Sequence, residues 1–388
     1  MRRRHFVSGL IGTAAGFGLA TAAGPLATAR GATSSAFPPG WQPVPVPIGQ
    51  GAAQLLDVAA AGPELAWAVG EEGRNGSTRG RPLAMVWDGT AWTQTGLGHL
   101  DFSGQLHSVA GSSPDAAWAV GTDTSGHGHL LAWEGVTWQE MAYPGQEDTG
   151  TELTGVAVAP DGRAWVSGRN SDRQGLLHWN KQEWRWYALL PSTATEAPSG
   201  VHRTPDGEIW VYGTGVVARW DGAWTELPPP TGFRFGVTGL LPCADDDVWL
   251  TAYDYGVGGP PGKPPSCVLR HWDGTAWSHV TPPFTVGLLS GITGDDQGRP
   301  DRIAGWDFGD DQGRPDRIAG WDFWDQTRAH YLRWDGTAWV SERGPLATTP
   351  VVLNALARIP DTGEYWSVGT TSSSPYPPAQ ARMEHFGP

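Results

Sequence analysis

Short apolar runs separated by Gly- and Pro-rich turns recur along the chain from about residue 50 to the C-terminus. One run has the form apolar-Trp-x-Val-Gly, as at residues 67–70 and 118–121. Another ends in Trp-Asp-Gly and is soon followed by a further Trp, as at residues 87–92. Asp-Gly between two short aromatic and β-branched runs is a strong hairpin signal, because Gly adopts positive φ in a tight turn. The pattern therefore predicts short antiparallel strands.

These runs form a unit of four strands that repeats every ~40–50 residues, which is typical of a propeller blade. In each unit, strand A leads through a Pro-Asp-type turn to strand B, which carries Trp-x-Val-Gly. A longer loop then leads to strand C, and the Asp-Gly turn leads to strand D. Copies of the strand B motif lie at residues 67–70, 118–121, 165–168, 210–213 and 366–369, with a degenerate copy at 249–252. Copies of the strand C motif lie at 87–89, 220–222, 272–274 and 334–336, with variants at 133–135 and 179–181.

The count of strands indicates how the ring closes. After residue 50, strand D occurs six times, whereas strands A to C occur seven times, and the last strand C stops at the chain end. Residues 39–44 read like the strand D of residues 89–94. We therefore predict an all-β, seven-bladed β-propeller with four antiparallel strands per blade. The N-terminal strand completes the C-terminal blade and removes an open sheet edge.

The repeats are similar to those of a broad group of secreted bacterial propellers, and the resemblance covers nearly all of the chain after its first residues. The Trp-Asp-Gly-Thr-Ala-Trp unit at 87–92 and 272–277 also resembles the repeat of bacterial seven-bladed lectins, whose sugar sites lie between blades. The resemblance implies the fold and a secreted protein, but it implies no particular activity. No sugar-binding residue matches one by one, so none is carried over.

The N-terminus has the layout of an export signal. Arg2, Arg3 and Arg4 precede a run of small and apolar residues up to about residue 23. The pair Arg3-Arg4 followed by His5-Phe6 resembles a twin-arginine motif, and an ordinary secretory signal with extra arginines is the alternative. Cleavage fits near residues 27–29 or 30–32. We therefore expect a signal peptide at residues 1–32, a propeller at residues 33–388 and a secreted protein.

The charge narrows the range of partners. The formal net charge is −14, and removal of four arginines with residues 1–32 would take it to −18. Such an acidic surface repels nucleic acid and anionic lipid. No later stretch has the ~18 apolar residues of a spanning helix. We expect a monomer that binds a carbohydrate or a protein and needs no cofactor, with calcium as a separate possibility.

That possibility lies in the sixth blade, where residues 294–308 are repeated identically at 309–323. Ile303-Ala304-Gly305 corresponds to Ala-Val-Gly of the other blades, which places Arg302 in the usual Trp position. The segment also resembles part of the calcium loop of integrin-type propellers, since calcium prefers several carboxylates. The candidate ligands are Asp295, Asp301, Asp310 and Asp316. The alternative is an ordinary acidic turn.

The candidate binding surface is the face that carries the long B–C loops, at residues 71–82, 122–129, 253–267 and 370–381. Long loops on a rigid scaffold are frequent binding sites. Aromatic side chains beside polar donors suit a sugar ring, and the alternative is that they cover the irregular blade. The candidates are Trp321, Phe323, Trp324, Arg328, His330 and Tyr331 in blade six, with Tyr253 and Tyr255 in blade five.

His107 belongs to a ring of polar residues in the A strands at the mouth of the central channel. The others are Thr154, Ser199, Thr238, Ser290 and Asn354. No catalytic set is fixed by spacing. Our leading hypothesis is a non-enzymatic recognition module on the long-loop face, and the alternative is a lyase or hydrolase at the channel mouth around His107.

Overall fold

The computed structural model describes residues 40–48, 51–171, 173–187, 197–228, 230, 235–254, 266–307, 327–372 and 379–387. Those residues form seven sheets of four antiparallel strands, and each sheet is one blade. Blade one is β2 (Ala53–Gly62), β3 (Leu65–Glu72), β4 (Arg81–Trp87) and β5 (Trp92–Gln94). Blade two is β6 (Gly104–Ser113), β7 (Ala116–Asp123), β8 (Gly128–Trp133) and β9 (Trp138–Glu140). Blade three is β10 (Glu152–Val158), β11 (Ala164–Asn170), β12 (Arg173–Trp179) and β13 (Trp184–Tyr187).

The remaining blades follow the same order. Blade four is β14 (Gly200–Arg203), β15 (Ile209–Gly213), β16 (Val216–Trp220) and β17 (Trp224–Glu226). Blade five is β18 (Phe235–Ala244), β19 (Asp247–Asp254), β20 (Ser266–Trp272) and β21 (Trp277–His279). Blade six is β22 (Gly287–Gly294), β23 (Pro300–Asp307), β24 (His330–Trp334) and β25 (Trp339–Arg343). Blade seven is β26 (Val351–Arg358), β27 (Tyr365–Thr371), β28 (Gln380–Gly387) and β1 (Gly40–Val44).

The ring closes as the strand count predicts. Strand β1 pairs antiparallel with β28, with Trp41 opposite Phe386, and so supplies strand D of the blade that ends the chain. This confirms the all-β, seven-bladed propeller and its closure by the N-terminal strand. Within the described ranges, no helix has the length and apolar character needed to cross a membrane.

Neighbouring blades interlock through their Trp residues. The strand B Trp of one blade packs against the strand C and strand D Trp of the next. Trp366 of blade seven lies 5.0 Å from Trp87 and 5.1 Å from Trp92 of blade one, between ring centroids. Trp118 of blade two meets the corresponding rings of blade three in the same way. The repeated Trp positions are therefore the hydrophobic contact between blades.

Blade six fills this position with a charge. Arg302 lies opposite Thr293 in β22, which is the register of the strand B Trp in the other blades. Its guanidinium lies 3.9 Å from the ring centroid of Phe386 and 5.8 Å from that of Trp41, both in blade seven. The expectation that Arg302 replaces Trp is confirmed. The first copy of the duplicated segment forms the A–B turn and β23, and the second copy, residues 309–323, lies outside the described residues.

The A strands surround the central channel and are tied to one another around it. In six of them the register shifts by one residue, which leaves a bulged residue at the channel wall. Four bulged side chains donate to a main-chain carbonyl of the next blade. These bonds are His107 Nε2 to Leu153 O (3.0 Å), Thr238 to Leu289 O (2.5 Å), Ser290 to Leu353 O (2.5 Å) and Asn354 to Leu55 O (2.7 Å).

Candidate functional site

A groove of about 410 Å³ lies where blades one and two meet. Because the four strands of a blade alternate in direction, B–C and D–A connections share one end of the propeller, which we call the long-loop face. The groove lies on this face, between the ends of β3 and β4 and the connection that follows β5. Its walls include Glu72, Arg81, Gln94, Leu97, Leu100 and Phe102.

One wall of the groove is charged. Glu72 is 4% exposed, and its Oε1 accepts a hydrogen bond from Arg81 Nη2 at 3.2 Å. The other oxygen, Oε2, is buried and has no hydrogen-bond partner among the described residues. The Arg81 side chain is 58% exposed. A buried carboxylate oxygen without a donor is rare in folded proteins, and this oxygen of Glu72 can therefore still accept a hydrogen bond.

The loop beside this wall is fixed by the neighbouring acid. Glu71 is fully buried, and its Oε1 accepts the main-chain N–H of Gly80 at 2.6 Å. Its Oε2 accepts a hydrogen bond from Gln54 Nε2 at 3.1 Å and lies 3.6 Å from Arg79 Nη1. Hydrogen bonds to a charged group are stronger than neutral ones. The B–C loop of blade one is therefore held in a defined position at the groove.

The opposite wall is apolar. Leu97, Leu100 and Phe102 follow strand D of blade one and pack against the core between blades one and two. The Phe102 ring stacks on His129 of blade two, with centroids 3.6 Å apart and planes 9° from parallel. The His129 Nδ1–H in turn donates to Glu140 Oε1 at 2.7 Å. Blade two therefore holds the aromatic ring of the groove in place.

Several of the residues expected to bind a ligand are buried instead. His330 and Tyr331 lie inside β24, at 2% and 0% exposure. His330 stacks on Phe284, and Tyr331 stacks on Trp41 while its hydroxyl donates to Glu384 at 2.9 Å. These contacts give both residues a place in the protein core. Arg328 is half-buried just before β24.

The other aromatic candidates are dispersed or not described. Tyr253 lies within β19 and crosses over Gly236, the residue opposite it in β18. Tyr255, Trp321, Phe323 and Trp324 lie outside the described residues. The structure therefore brings none of the described candidates of blades five and six together on one surface.

The carboxylates of the expected calcium loop have arginine partners. Asp295 accepts hydrogen bonds from Arg299, through Nε at 2.8 Å and through the main-chain N–H at 3.0 Å. Asp301 is bonded to Arg358 Nη1 at 2.8 Å and to the Tyr365 hydroxyl. No group of three or more His, Cys, Asp or Glu in the described part of the chain is arranged to hold a metal. Asp310 and Asp316 lie outside that part, so calcium binding stays a prediction.

Among the described residues, His107 at the channel mouth is hydrogen-bonded to the main chain and not to the side chain of a catalytic partner. Its Nε2–H donates to the Leu153 carbonyl, and none of its described hydrogen bonds is to a carboxylate or a second His. Burial lowers the pKa of His107, so the imidazole is neutral at pH 7. His107 therefore links blade two to blade three through a hydrogen bond.

Two signals in the sequence could have indicated the groove. Strand B of blade one ends in Glu71-Glu72, whereas strand B of blade two ends in Thr122-Asp123. The D–A connection of blade one contains Leu97, Leu100 and Phe102, which is unusually apolar for a surface loop. In addition, the channel is lined by Asp57, His202 and Tyr212, which were not among the predicted site residues.

Comparison with known proteins supports the fold. No protein-family model matches the sequence, and no curated protein matches it. The solved structure of YCF48 bound to D1 peptide is similar over 91% of this chain and 98% of its own, at 15% identity and a TM-score of 0.58. A virginiamycin B lyase from Staphylococcus aureus with quinupristin is similar over 90% and 99%, at 12% identity and a TM-score of 0.56.

A GH74 xyloglucanase from Xanthomonas campestris also shares the architecture. It is similar over 89% of this chain and 55% of its own, at 17% identity and a TM-score of 0.52. At identities this low, the likenesses concern the fold alone. The chain is a seven-bladed β-propeller, as its repeats predict.

Proposed function

We propose that this protein is an exported, non-enzymatic recognition module that binds a carbohydrate in the groove between blades one and two. The observation that carries the proposal is the buried Glu72 carboxylate, with one oxygen unpartnered, opposite an apolar wall that ends in Phe102. The groove lies on the long-loop face, where we expect binding on general grounds.

The chemistry of the walls suits a sugar ring. A pyranose presents an apolar C–H face, which packs on aromatic and aliphatic side chains, and hydroxyl groups around its edge. The Glu72 carboxylate accepts hydrogen bonds from hydroxyls, and the exposed Arg81 guanidinium donates to them. The volume of about 410 Å³ falls within the ~300–1,000 Å³ of small-molecule sites.

A protein partner and a catalytic role have less support. A stable protein interface covers about 800 Å² on each partner, and the exposed large apolar residues in the described ranges are scattered over blades two, three and six. They are Val136, Tyr187, Val340 and Leu346. A lyase or hydrolase around His107 would need a carboxylate or a second His as its partner, and His107 instead bonds to a main-chain carbonyl. Among propellers of similar fold, one binds a peptide and another is a xyloglucanase.

A glycan array with the protein lacking residues 1–32 tests the proposal, followed by calorimetry on the glycans that bind. We expect Glu72→Gln and Arg81→Gln each to weaken binding by about tenfold, since a hydrogen bond to a charged group contributes ~1.5–3 kcal/mol. Arg163→Gln is the matched control, because Arg163 is a half-exposed arginine on the opposite face. An array without any bound glycan, or an equal loss in the control, would reject the carbohydrate site. N-terminal sequencing of the secreted protein tests export and should find a start near residue 30 or 33.

A further inference from the structure

The central channel contains three departures from the repeat, and all three replace a small residue by a polar one of greater size. Asp57 occupies the strand A position that holds Ser108 in blade two and Gly155 in blade three. His202 occupies a position held by Ala in four other blades, including Ala59. Tyr212 occupies the Val position of Trp-x-Val-Gly.

These three side chains line one cavity of about 260 Å³, to which all seven A strands contribute. Tyr212 is in strand B, one strand away from the channel, and reaches the cavity across its partner Gly200. A Cβ on Gly200 would lie 2.5 Å from the Tyr212 hydroxyl oxygen. Only glycine at position 200 leaves room for this arrangement, so blade four is built to direct Tyr212 towards the axis.

The three groups retain hydrogen-bonding capacity. The two oxygens of Asp57 each accept one main-chain N–H at 2.9 Å, from Val58 and Val109. The Ser108 side chain also hydrogen-bonds to Asp57. Because a carboxylate has about four acceptor positions, a further donor can bind. Neither the His202 imidazole nor the Tyr212 hydroxyl has a hydrogen-bond partner among the described residues.

Keeping the Asp57 carboxylate ionised in this cavity lowers the stability of the fold at neutral pH. Burial raises the pKa of Asp57 to about 6, and burial lowers that of His202 to about 4 with help from Arg203. Burial and the Asp57 charge raise the pKa of Tyr212 above its ordinary value. Such perturbed groups gather at functional sites, where a protein keeps residues that its fold does not favour. The small residues in the other blades show that the propeller itself does not require them.

We propose that the channel cavity is a second ligand site, in which Asp57, His202 and Tyr212 bind a small, uncharged molecule rich in hydroxyl groups. These residues are separate from the groove, so the inference goes beyond the carbohydrate module proposed above. Tyr212 donates, the neutral His202 offers one donor and one acceptor, and Asp57 accepts. A polyol or a single sugar ring presents both kinds of group.

The charge and size of the cavity define the ligand further. Of the residues that line it, none is Lys or Arg, so an anion would meet Asp57 without compensation. A cation would find one carboxylate that already accepts two N–H groups. The volume is below the ~300–1,000 Å³ of drug-sized pockets, which excludes an oligosaccharide. Ser199 is exposed at the end nearest to the long-loop face, which places the entrance there.

Substitutions that restore the repeat test this site. Tyr212→Val, His202→Ala and Asp57→Ser introduce the residues that other blades carry, and Ser108 shows that Ser at this position still accepts a main-chain N–H from the next blade. We expect each variant to fold with an unchanged or higher Tm. We expect each to weaken binding of the probes myo-inositol and methyl glucoside by about tenfold, measured by saturation-transfer NMR titration.

Controls separate this site from the groove. Arg81→Gln should leave probe binding by the channel unchanged, whereas the repeat-restoring variants should leave glycan binding by the groove unchanged. Ethylammonium and acetate serve as charged probes, and we expect neither to bind. The proposal fails if the wild-type protein binds neither polyol at millimolar concentration, if ethylammonium binds better than they do, or if the repeat-restoring variants lose Tm and keep probe affinity.

Discussion

The contact surface between two neighbouring blades, which we call a seam, differs between blades one and two and blades six and seven. The difference lies at the strand B position that holds Trp in the other blades. In the first, Trp67 of strand B packs among Trp133 and Trp138 of blade two. In the second, Arg302 lies over Phe386 and near Trp41 of blade seven and is paired with Glu342. The position therefore requires a flat side chain that fits against two rings, which the guanidinium also provides.

Blade seven also has a buried acidic residue at this seam. The slot that holds Met85 in strand C of blade one holds Glu384 in blade seven, where it pairs with Arg382 and Tyr331. The apolar seams depend on hydrophobic burial, which salt screens little. The seam of blades six and seven contains in addition ion pairs from Arg358 of blade seven to Asp296 and Asp301 of blade six. Blade seven also takes strands from both ends of the described chain.

Removal of β1 should lower the stability of the seam between blades six and seven more than any of the other changes below. A chain that begins at residue 45 lacks Trp41 and its stack on Tyr331 at 3.6 Å. We expect the free energy of unfolding to fall by more than about 5 kcal/mol, since a buried Trp alone contributes ~3–5 kcal/mol and the strand ladder is lost as well. Urea unfolding followed by Trp fluorescence measures the change.

A chain that begins at residue 33 is the control and should keep the stability of the full-length chain. Equal unfolding midpoints for the two truncated chains would mean that β1 does not hold the ring closed. The pairing of β1 with β28 would then contribute nothing to stability.

The sequence was sufficient for the blades because each repeat is local. Trp-x-Val-Gly, Asp-Gly and the Trp that follows specify one blade, and the missing strand D could be found by counting. Even the irregular sixth blade kept its register, so Arg302 could be assigned to the Trp position. Because the blades repeat, a strand identified in one blade predicts the corresponding strand in the others.

The sites were harder to predict because they depend on contacts between segments that lie far apart in the sequence. Phe102 and Glu72 meet only when the D–A connection of blade one folds beside its own B–C loop. His330 and Tyr331 follow a long loop in the sequence, but only the sheet shows that they begin a buried strand. Asp57 and Tyr212 could have been recognised as departures from the repeat, yet their common cavity requires the ring.

A pair of double-mutant cycles should compare the ion pair that Arg302 makes within blade six with the contact between Trp67 and Trp133 across the seam of blades one and two. For Arg302→Met with Glu342→Gln, we expect a coupling energy of about 2 kcal/mol, within the ~0.5–3 kcal/mol of contacting residues. Because the Glu342 side chain is 26% exposed, added salt should reduce this coupling. For Trp67→Leu with Trp133→Leu, we expect about 1 kcal/mol and no salt dependence. A coupling energy near zero between Arg302 and Glu342 would place the contribution of Arg302 in its contact with the Phe386 ring rather than in the ion pair.

The smallest expected effect is the pH dependence of stability caused by Glu384 at the seam of blades six and seven. Burial raises the pKa of Glu384 above its ordinary value, and Arg382 opposes this shift. The folded state thus binds the proton more tightly than the unfolded state. The stability of the wild-type protein relative to Glu384→Gln should therefore fall as the pH rises from the ordinary glutamate pKa through the raised one. Urea midpoints of both proteins across this range measure the difference. If the wild-type protein instead becomes relatively more stable as the pH rises, Arg382 outweighs burial, and the charge of Glu384 holds the seam together rather than weakening it.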